Sequence, residues 1–129
     1  MENRPHWIRF PIALLAVLVA HWWVYDGLHA FRTGDYVTPG GDSEYAGQLG
    51  PWSILVEAVG IAPRSDLMKG IFVVCGGLWL ITAIAYVLRP RSFRKGMLAW
   101  AAFSLWYLPF GTVLGLVQLV LLFLPAAKR

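Results

Sequence analysis

Residues 97–127, MLAWAAFSLWYLPFGTVLGLVQLVLLFLPAA, contain no charged residue, and the way this run folds decides the topology of the chain. As one α-helix, residues 97–124 would be about 42 Å long at 1.5 Å per residue. That exceeds a hydrocarbon core of about 30 Å and would require a steep tilt. A break at Pro109-Phe110-Gly111 would instead give two short helices of roughly 20–26 Å each. Length alone therefore leaves three and four membrane spans open.

The composition of the whole chain indicates its class. Of the 129 residues, 58% are hydrophobic and 14% are charged, whereas soluble domains carry roughly 25% charged residues. So little polar surface could not cover a soluble domain, and a disordered chain would need low hydrophobicity and high charge. The one cysteine excludes a disulfide framework. We therefore predict an all-α fold: a single polytopic membrane domain, residues 1–129, built as a helical bundle.

Charge favours a hairpin in the last apolar run, and with it four spans. Cytoplasmic loops carry an excess of Lys and Arg. With four spans, the two termini and the basic loop 89–95 share one side with a net charge of +7, and the other side carries −3, which together make the +4 of the chain. With three spans, Lys128 and Arg129 would move to the acidic side. The predicted spans are 8–30, 67–88, 95–108 and 110–126.

The first apolar run has a rival interpretation as a cleaved signal peptide. A basic start and an apolar centre at residues 12–20 are both present. Bulky His21-Trp22-Trp23 stands where a cleavage site of small residues would be expected. This favours an uncleaved first helix with its N-terminus in the cytoplasm.

Residues 32–66 predict an outer loop that contains one short helix. Gly, Pro and Asp are dense in residues 32–50, which is typical of a loop. Pro51 suits a helix start, and the helical spacing of apolar residues in 51–60 involves Trp52, Leu55, Val56 and Val59. The segment is too short to span. It either lies in the membrane interface or packs as a loop helix on the spans.

Aromatic residues indicate where the helices meet the outer membrane interface, because Trp and Tyr prefer that depth. The predicted interfacial anchors are Trp22, Trp23, Trp52, Trp106 and Tyr107.

Residues 106–112, Trp-Tyr-Leu-Pro-Phe-Gly-Thr, resemble the Pro-x-Gly-Thr ending of many small, uncharacterised bacterial four-span membrane proteins, in which the preceding loop is basic, as residues 89–95 are here. The resemblance covers the chain from about residue 89 onward. It implies a bacterial inner-membrane protein with a C-terminal helical hairpin. The charge balance described above predicts that both termini lie in the cytoplasm. It carries over no catalytic residue.

One side of the first helix holds candidate binding residues. His21, Tyr25 and His29 recur every four residues, and Asp26 lies three residues before His29. Such groups in a span could bind a cofactor or metal, move a proton or hydrogen-bond a quinone. The alternative is that they meet water and lipid headgroups at the outer end of the span. Haem between two histidines would need a second copy of the chain, because no other helix contains a histidine.

The G-x-x-x-G formed by Gly111 and Gly115 predicts a close helix–helix contact, either with another chain or within this one. Gln118 lies on a similar face, and its amide needs a partner in hydrocarbon. Cys75 is expected to be a small buried hydrophobe.

Known catalytic motifs are missing. The sequence has no P-loop, H-E-x-x-H or G-x-S-x-G, and no carboxylate deep in a span. The basic residues cluster at the ends of apolar runs rather than on one face, which excludes nucleic acid as a partner. We predict a non-catalytic accessory or interaction subunit with no metal or cofactor. Its partners would be the lipid bilayer and another membrane protein or a second copy. The alternatives are a quinone- or redox-associated subunit and an oligomeric small-solute transporter.

Overall fold

A computed structural model of the chain describes residues 6–37, 49, 51–107 and 110–124, and these are helices and turns without any strand. The all-α class is therefore confirmed. The α-helices are α1 (Arg9–Thr33), α2 (Trp52–Ala58), α3 (Asp66–Leu88), α4 (Pro90–Phe103) and α5 (Phe110–Phe123). Short 3-10 turns, His6–Ile8 and Ser104–Trp106, precede α1 and follow α4. Most of the predicted loop 32–50, Pro109 and the predicted end of the last span lie outside the described residues.

Local sequence sets the ends of the two long helices. Gly34 ends α1 in the left-handed region at φ 95°, and its N–H donates to the Ala30 carbonyl. The Ser65 side chain caps α3 by accepting from the Met68 N–H at 3.2 Å. Among the helices described, α1 and α3 are the two that are long and apolar enough to cross a membrane, and α5 is apolar but shorter.

α1 and α3 pack against each other in antiparallel directions through small residues. A Cβ atom on Gly27 of α1 would stand 2.9 Å from the Lys69 carbonyl oxygen near the start of α3. A Cβ atom on Gly76 of α3 would stand 2.7 Å from the Ala20 carbonyl oxygen of α1. The backbones therefore approach at two levels, and neither glycine leaves room for a side chain.

The last apolar run turns back on itself. The Arg94 guanidinium near the start of α4 donates to the Leu122 carbonyl near the end of α5, with distances of 3.1 Å from Nε and 2.9 Å from Nη2. At the other end of the pair, the Thr112 hydroxyl donates to the Leu105 carbonyl at 2.6 Å. α4 and α5 therefore form an antiparallel helix pair and not one rod.

α4 starts earlier than the predicted third span. Pro90 occupies the first turn of α4, where the missing proline N–H removes no hydrogen bond because the first N–H groups of a helix have no acceptor within it. The basic residues of segment 89–95, predicted to lie in a loop, therefore lie mostly on the first turns of a helix. α4 ends at Phe103, and the chain turns through Ser104–Trp106 before α5.

Aromatic rings from several helices pack around Trp23. Trp23 is fully buried and contacts five rings, with centroid distances of 5.4–6.1 Å. We call these six residues the aromatic cluster: Trp23, Phe72, Trp79, Phe103, Trp106 and Tyr107. Three of the predicted interfacial anchors, Trp23, Trp52 and Tyr107, are buried in the protein, while Trp22 and Trp106 are half-buried. Trp23, Trp52 and Tyr107 are buried because aromatic rings from distant parts of the sequence pack against them.

α2 lies against the turn between α4 and α5. Trp52 and Val56 are buried, and the Trp52 ring centroid lies 6.0 Å from those of Trp106 and Tyr107. Ile54 and Val59 point away and are exposed. α2 therefore packs on the bundle with one side and presents apolar residues on the other.

Candidate functional site

Three of the four candidate residues of α1, Tyr25, Asp26 and His29, lie toward one end of the bundle, whereas His21 lies at the middle of the helix. We call this end the α2 end; it comprises residues 25–37, α2 and residues 61–69. We call the opposite end, with residues 6–10, 86–95 and 122–124, the arginine end.

Asp26 lies inside the protein. Its side chain is buried, and Oδ1 accepts a hydrogen bond from the Val37 backbone N–H at 2.6 Å. A buried carboxylate is costly unless it is hydrogen-bonded, and this bond offsets part of the cost. The contact also ties the segment after α1 back onto the helix. Asp26 therefore does not simply meet water, as one interpretation of the sequence expected.

The two histidines bond to backbone carbonyls and not to each other. His21 is exposed, and its Nδ1 lies 2.9 Å from the Val17 carbonyl oxygen one turn earlier. His29 is half-buried, and its Nδ1 lies 2.9 Å from the Asp35 carbonyl oxygen. Both contacts require a proton on Nδ1.

The structure brings together part of the predicted face. The Tyr25 and His29 rings lie 6.1 Å apart, and His29 acts electrostatically on Asp26. His21 and Asp26 point in different directions, one outward and one into the bundle. The four side chains therefore do not line one common surface.

The charge of the Asp26 carboxylate acts on two tyrosine hydroxyls, Tyr36 and Tyr107, and the sequence marked neither as part of a site. The Tyr36 hydroxyl donates to the Pro63 carbonyl at 2.8 Å, which joins the end of α1 to the segment before α3. Burial raises the pKa of Tyr36 above its usual value, and the charges of Asp26 and Asp35 raise it further. Tyr36 therefore stays protonated and remains a donor. No spacing in the sequence signals that residues 36 and 107 approach residue 26.

An ion pair lies next to this cluster. Arg64 Nε donates to Asp35 Oδ1 at 2.9 Å, with both side chains about half exposed. Partial burial raises the pKa of Asp35, but the hydrogen bonds from Arg64 and the Tyr36 N–H, with the charges of Arg64 and Lys69, outweigh it. The pKa of Asp35 therefore lies below its usual value.

Lys69 holds the end of α1. Its side chain is mostly buried, and Nζ lies 3.4 Å from the Gly34 carbonyl oxygen and 3.8 Å from Asp66 Oδ1. A cation at the C-terminal end of a helix is stabilised by the helix dipole. The polar groups of the α2 end thus bind mainly to the backbone and fix how the chain leaves α1 and enters α3.

The two glycines of the G-x-x-x-G pack within this chain. A Cβ atom on Gly111 would stand 2.5 Å from the Ser104 carbonyl oxygen, and one on Gly115 would stand 2.8 Å from the Ala101 carbonyl oxygen. Gln118 is fully buried, and its Nε2 donates to the Leu114 carbonyl at 3.2 Å. Its Oε1 has no hydrogen-bond partner in the described part of the chain.

Several buried donors lack acceptors. Within the ranges that the structure describes, the indole N–H groups of Trp23, Trp79 and Trp106 are buried without a hydrogen-bond partner. Buried donors of this kind normally find an acceptor. Across the same ranges, no three His, Cys, Asp or Glu side chains come together to hold a metal ion.

No protein-family model, curated protein or solved structure gives a significant match to the chain. The resemblance of the segment after residue 89 to bacterial four-span proteins therefore stays a prediction from its motif.

Proposed function

We propose that the chain is a four-span protein of a bacterial inner membrane, with both termini in the cytoplasm, and that it acts as an accessory or interaction subunit without a reaction of its own. The single observation that supports this most is the exposed apolar surface of the long helices. Soluble monomers rarely expose continuous apolar patches of more than a few hundred Å².

This exposed surface is spread over three of the helices. Leu14 of α1 is 60% exposed, Ile81 of α3 is 65% exposed and Val120 of α5 is 63% exposed. The length and apolar composition of α1 and α3 alone give weak support for a membrane location, since the core helices of soluble proteins can be equally long and apolar. Core helices of that kind are mostly buried, whereas α1 and α3 each present an apolar side outward.

The position of α2 supports a membrane-embedded α4–α5 pair. Non-helical backbone at membrane depth is tolerated where protein covers it. Ser104 and Tyr107 in the turn are buried, and Trp52 of α2 packs on Tyr107. The turn therefore need not expose its peptide groups to lipid.

The accessory role is supported by how the polar groups of the α2 end are used. Asp26, His29 and Tyr36 each bond to the backbone of the segments that follow α1 or precede α3. Side chains that are hydrogen-bonded to the backbone in this way stabilise the local fold, which is a structural role and not the binding of a substrate. The quinone- or redox-associated and transport interpretations stay predictions from the sequence.

Cysteine labelling tests the topology. Cys75 is the one cysteine of the chain, so a Cys75→Ala background accepts single exposed cysteines. In intact spheroplasts, a membrane-impermeant maleimide should label Ile54→Cys, whereas Arg91→Cys should react only after lysis. A reporter fused to the C-terminus should be active on the same side as residue 91. Labelling of both positions from one side, or an exported C-terminal reporter, would contradict four spans.

Affinity purification from native membranes in a mild detergent tests the accessory role. We expect stoichiometric co-purification of another membrane protein or of a second, differently tagged copy. A monodisperse monomer that repeatedly emerges alone would contradict this role.

A further inference from the structure

His21 is the central residue of α1, and its side chain is exposed on the outside of the bundle. α1 runs from Arg9 to Thr33, so that twelve helical residues on each side separate His21 from the two ends of the helix by about 18 Å. With α1 crossing the membrane, as proposed above, the imidazole lies near the middle of a hydrocarbon core about 30 Å thick. It is therefore out of reach of water and of the lipid headgroups.

This position is unfavourable for a polar side chain that faces lipid. Ionisable residues within membrane spans are rare, and they face the interior of a helix bundle or a water-filled cavity. His21 lies instead on the outer surface of this bundle. Its place at mid-depth indicates that this surface is the interior of a larger assembly.

The outward faces of α3 and α5 differ from that of α1. The exposed residues of α3 from Leu67 to Leu88 are all apolar, and so are those of α5. Such faces suit contact with lipid chains. Of these three helices, α1 is the one that exposes polar side chains far from its ends, namely His21 and Tyr25.

Five exposed residues of α1 form one stripe along the helix. They are Leu14, Leu18, His21, Tyr25 and Leu28, and their spacing alternates between four and three residues. We call them the α1 stripe. The same spacing forms the seam along which two helices pack in a coiled coil.

The two polar groups of the α1 stripe complement each other. His21 Nδ1 lies 2.9 Å from the Val17 carbonyl oxygen and needs its proton for that bond, so Nε2 of the neutral ring is an acceptor. Tyr25 lies one turn further along and is 49% exposed. Within the described chain its ring contacts those of Trp22 and His29, and its hydroxyl donates to no atom. The stripe thus offers one acceptor with partial negative charge and one donor with partial positive charge.

We propose that the α1 stripe is the contact surface for a second copy of this chain, and that the Tyr25 hydroxyl of each copy donates to His21 Nε2 of the other. Copies with the same topology present α1 in the same direction, and a two-fold axis brings the same stripe to both sides of the contact. In a parallel helix pair, a side chain of the seam packs among facing residues of its own and the adjacent level, so Tyr25 lies beside His21.

The charge complementarity of the stripe is what favours a second copy as its occupant. A lipid chain offers neither a donor to His21 nor an acceptor to Tyr25, whereas an identical stripe offers both, twice. The inference names a partner for the proposed accessory role, and it rests on the proposed membrane insertion.

Cross-linking in native membranes tests the surface. In the full chain with Cys75→Ala, Leu18→Cys and Leu28→Cys place thiols on the α1 stripe, and the controls Ile81→Cys and Val120→Cys place them on the exposed faces of α3 and α5. Mild oxidation should give disulfide-linked dimers of the first two variants and none of the controls. Equal cross-linking of all four, or of the controls only, would overturn the α1 stripe as the interface.

The association of two fluorescently labelled copies in mild detergent tests the hydrogen bonds. Tyr25→Phe removes one oxygen from each copy and should weaken association about tenfold, because both symmetric bonds are lost together. His21→Gln keeps an acceptor and should weaken it less than His21→Ala, while Ile81→Ala should associate like the wild type. Equal association of the wild type, Tyr25→Phe and His21→Ala would overturn the contact.

The unfolding temperature of each variant, measured at a dilution where the chain is monomeric, guards against a loss of folding. Both side chains are exposed, so this temperature should equal that of the wild type. A drop that matches the loss of association would assign the two residues to the fold and overturn their role in the contact.

Carbonate extraction of native membranes, done first, separates this inference from the proposed function. A chain that washes off the membrane contradicts both. A chain that stays in the membrane and co-purifies with a different membrane protein, but not with a second, differently tagged copy, contradicts the second copy only.

Discussion

Gly76 of α3 lies against the Ala20 carbonyl of α1, so that a methyl group on Gly76 would stand 2.7 Å from that oxygen. The next residue, Gly77, faces open space, and a methyl group there would meet nothing within 4 Å. Two adjacent glycines of one helix therefore have opposite roles, and the contact between α1 and α3 depends on only one of them.

Gly76→Ala should destabilise the bundle by about 1–3 kcal/mol, because the added methyl group must push the two backbones apart. Gly77→Ala should leave stability unchanged or raise it by up to about 1 kcal/mol, since alanine favours the helix. Unfolding in mixed micelles, followed by tryptophan fluorescence, measures both. Equal effects of the two substitutions would show that α1 and α3 are not packed this closely.

Asp26→Ala should release the segment that follows α1, because the Val37 N–H loses its buried acceptor. The expected cost is about 1–3 kcal/mol. Hydrogen exchange of the Val37 amide should become faster, and Asp26→Asn should restore part of its protection because the amide oxygen can still accept. The control is Glu57→Gln, at an exposed position of α2, which should change nothing. An unchanged exchange rate at Val37 in Asp26→Ala would refute the contact.

The Asp35–Arg64 pair should make stability depend on acidity. The pKa of Asp35 in the folded chain lies below 3.8, its ordinary value, so the pair stabilises the fold above about pH 4 and this contribution disappears as the pH falls through the folded pKa. Because both side chains are about half exposed, the contribution is at most about 1 kcal/mol. The difference in unfolding free energy between wild type and Asp35→Asn should therefore shrink on acidification. A difference that stays constant down to strongly acidic pH would rule this out.

A hydrogen bond between Trp100 and Thr82 links α4 to α3. Trp100 Nε1 donates to Thr82 Oγ1 at 3.1 Å, while the Thr82 hydroxyl donates to the Leu78 carbonyl at 2.9 Å. A double-mutant cycle with Thr82→Val and Trp100→Phe should give a coupling energy of about 0.5–1.5 kcal/mol. Thr82→Ser keeps the hydroxyl and should keep the coupling. Strictly additive effects would mean that the bond contributes nothing to stability.

Much of the helical framework follows from local signals. The long apolar runs predicted α1 and α3 close to their observed bounds, and the Ser65 side chain caps the start of α3, which is a role that serine commonly has. The charge balance favoured a hairpin in the last run, and α4 and α5 are antiparallel. The start of α4 at Pro90 was missed because basic residues between two apolar runs are typical of a loop as well as of a first helical turn.

The candidate site was harder to predict, for a physical reason. α1 is apolar on nearly all sides, so periodicity does not tell which residues face inward. His21 and Asp26 therefore looked alike in the sequence, although one is exposed and the other is buried. Tyr36 and Tyr107 reach Asp26 only through the tertiary fold. The same holds for the burial of Trp23, which follows from its contacts with five other rings.

The unequal lengths of the helices give the protein two flanks of different height. α1 has 25 residues and α3 has 23, whereas α4 and α5 have 14 each and are about 21 Å long. In the membrane location proposed above, lipids beside the α4–α5 flank would have to thin locally to match it, which costs a fraction of a kcal/mol per Å. A neighbour with equally short helices would remove that deformation, so the bilayer itself would draw such a protein to this flank.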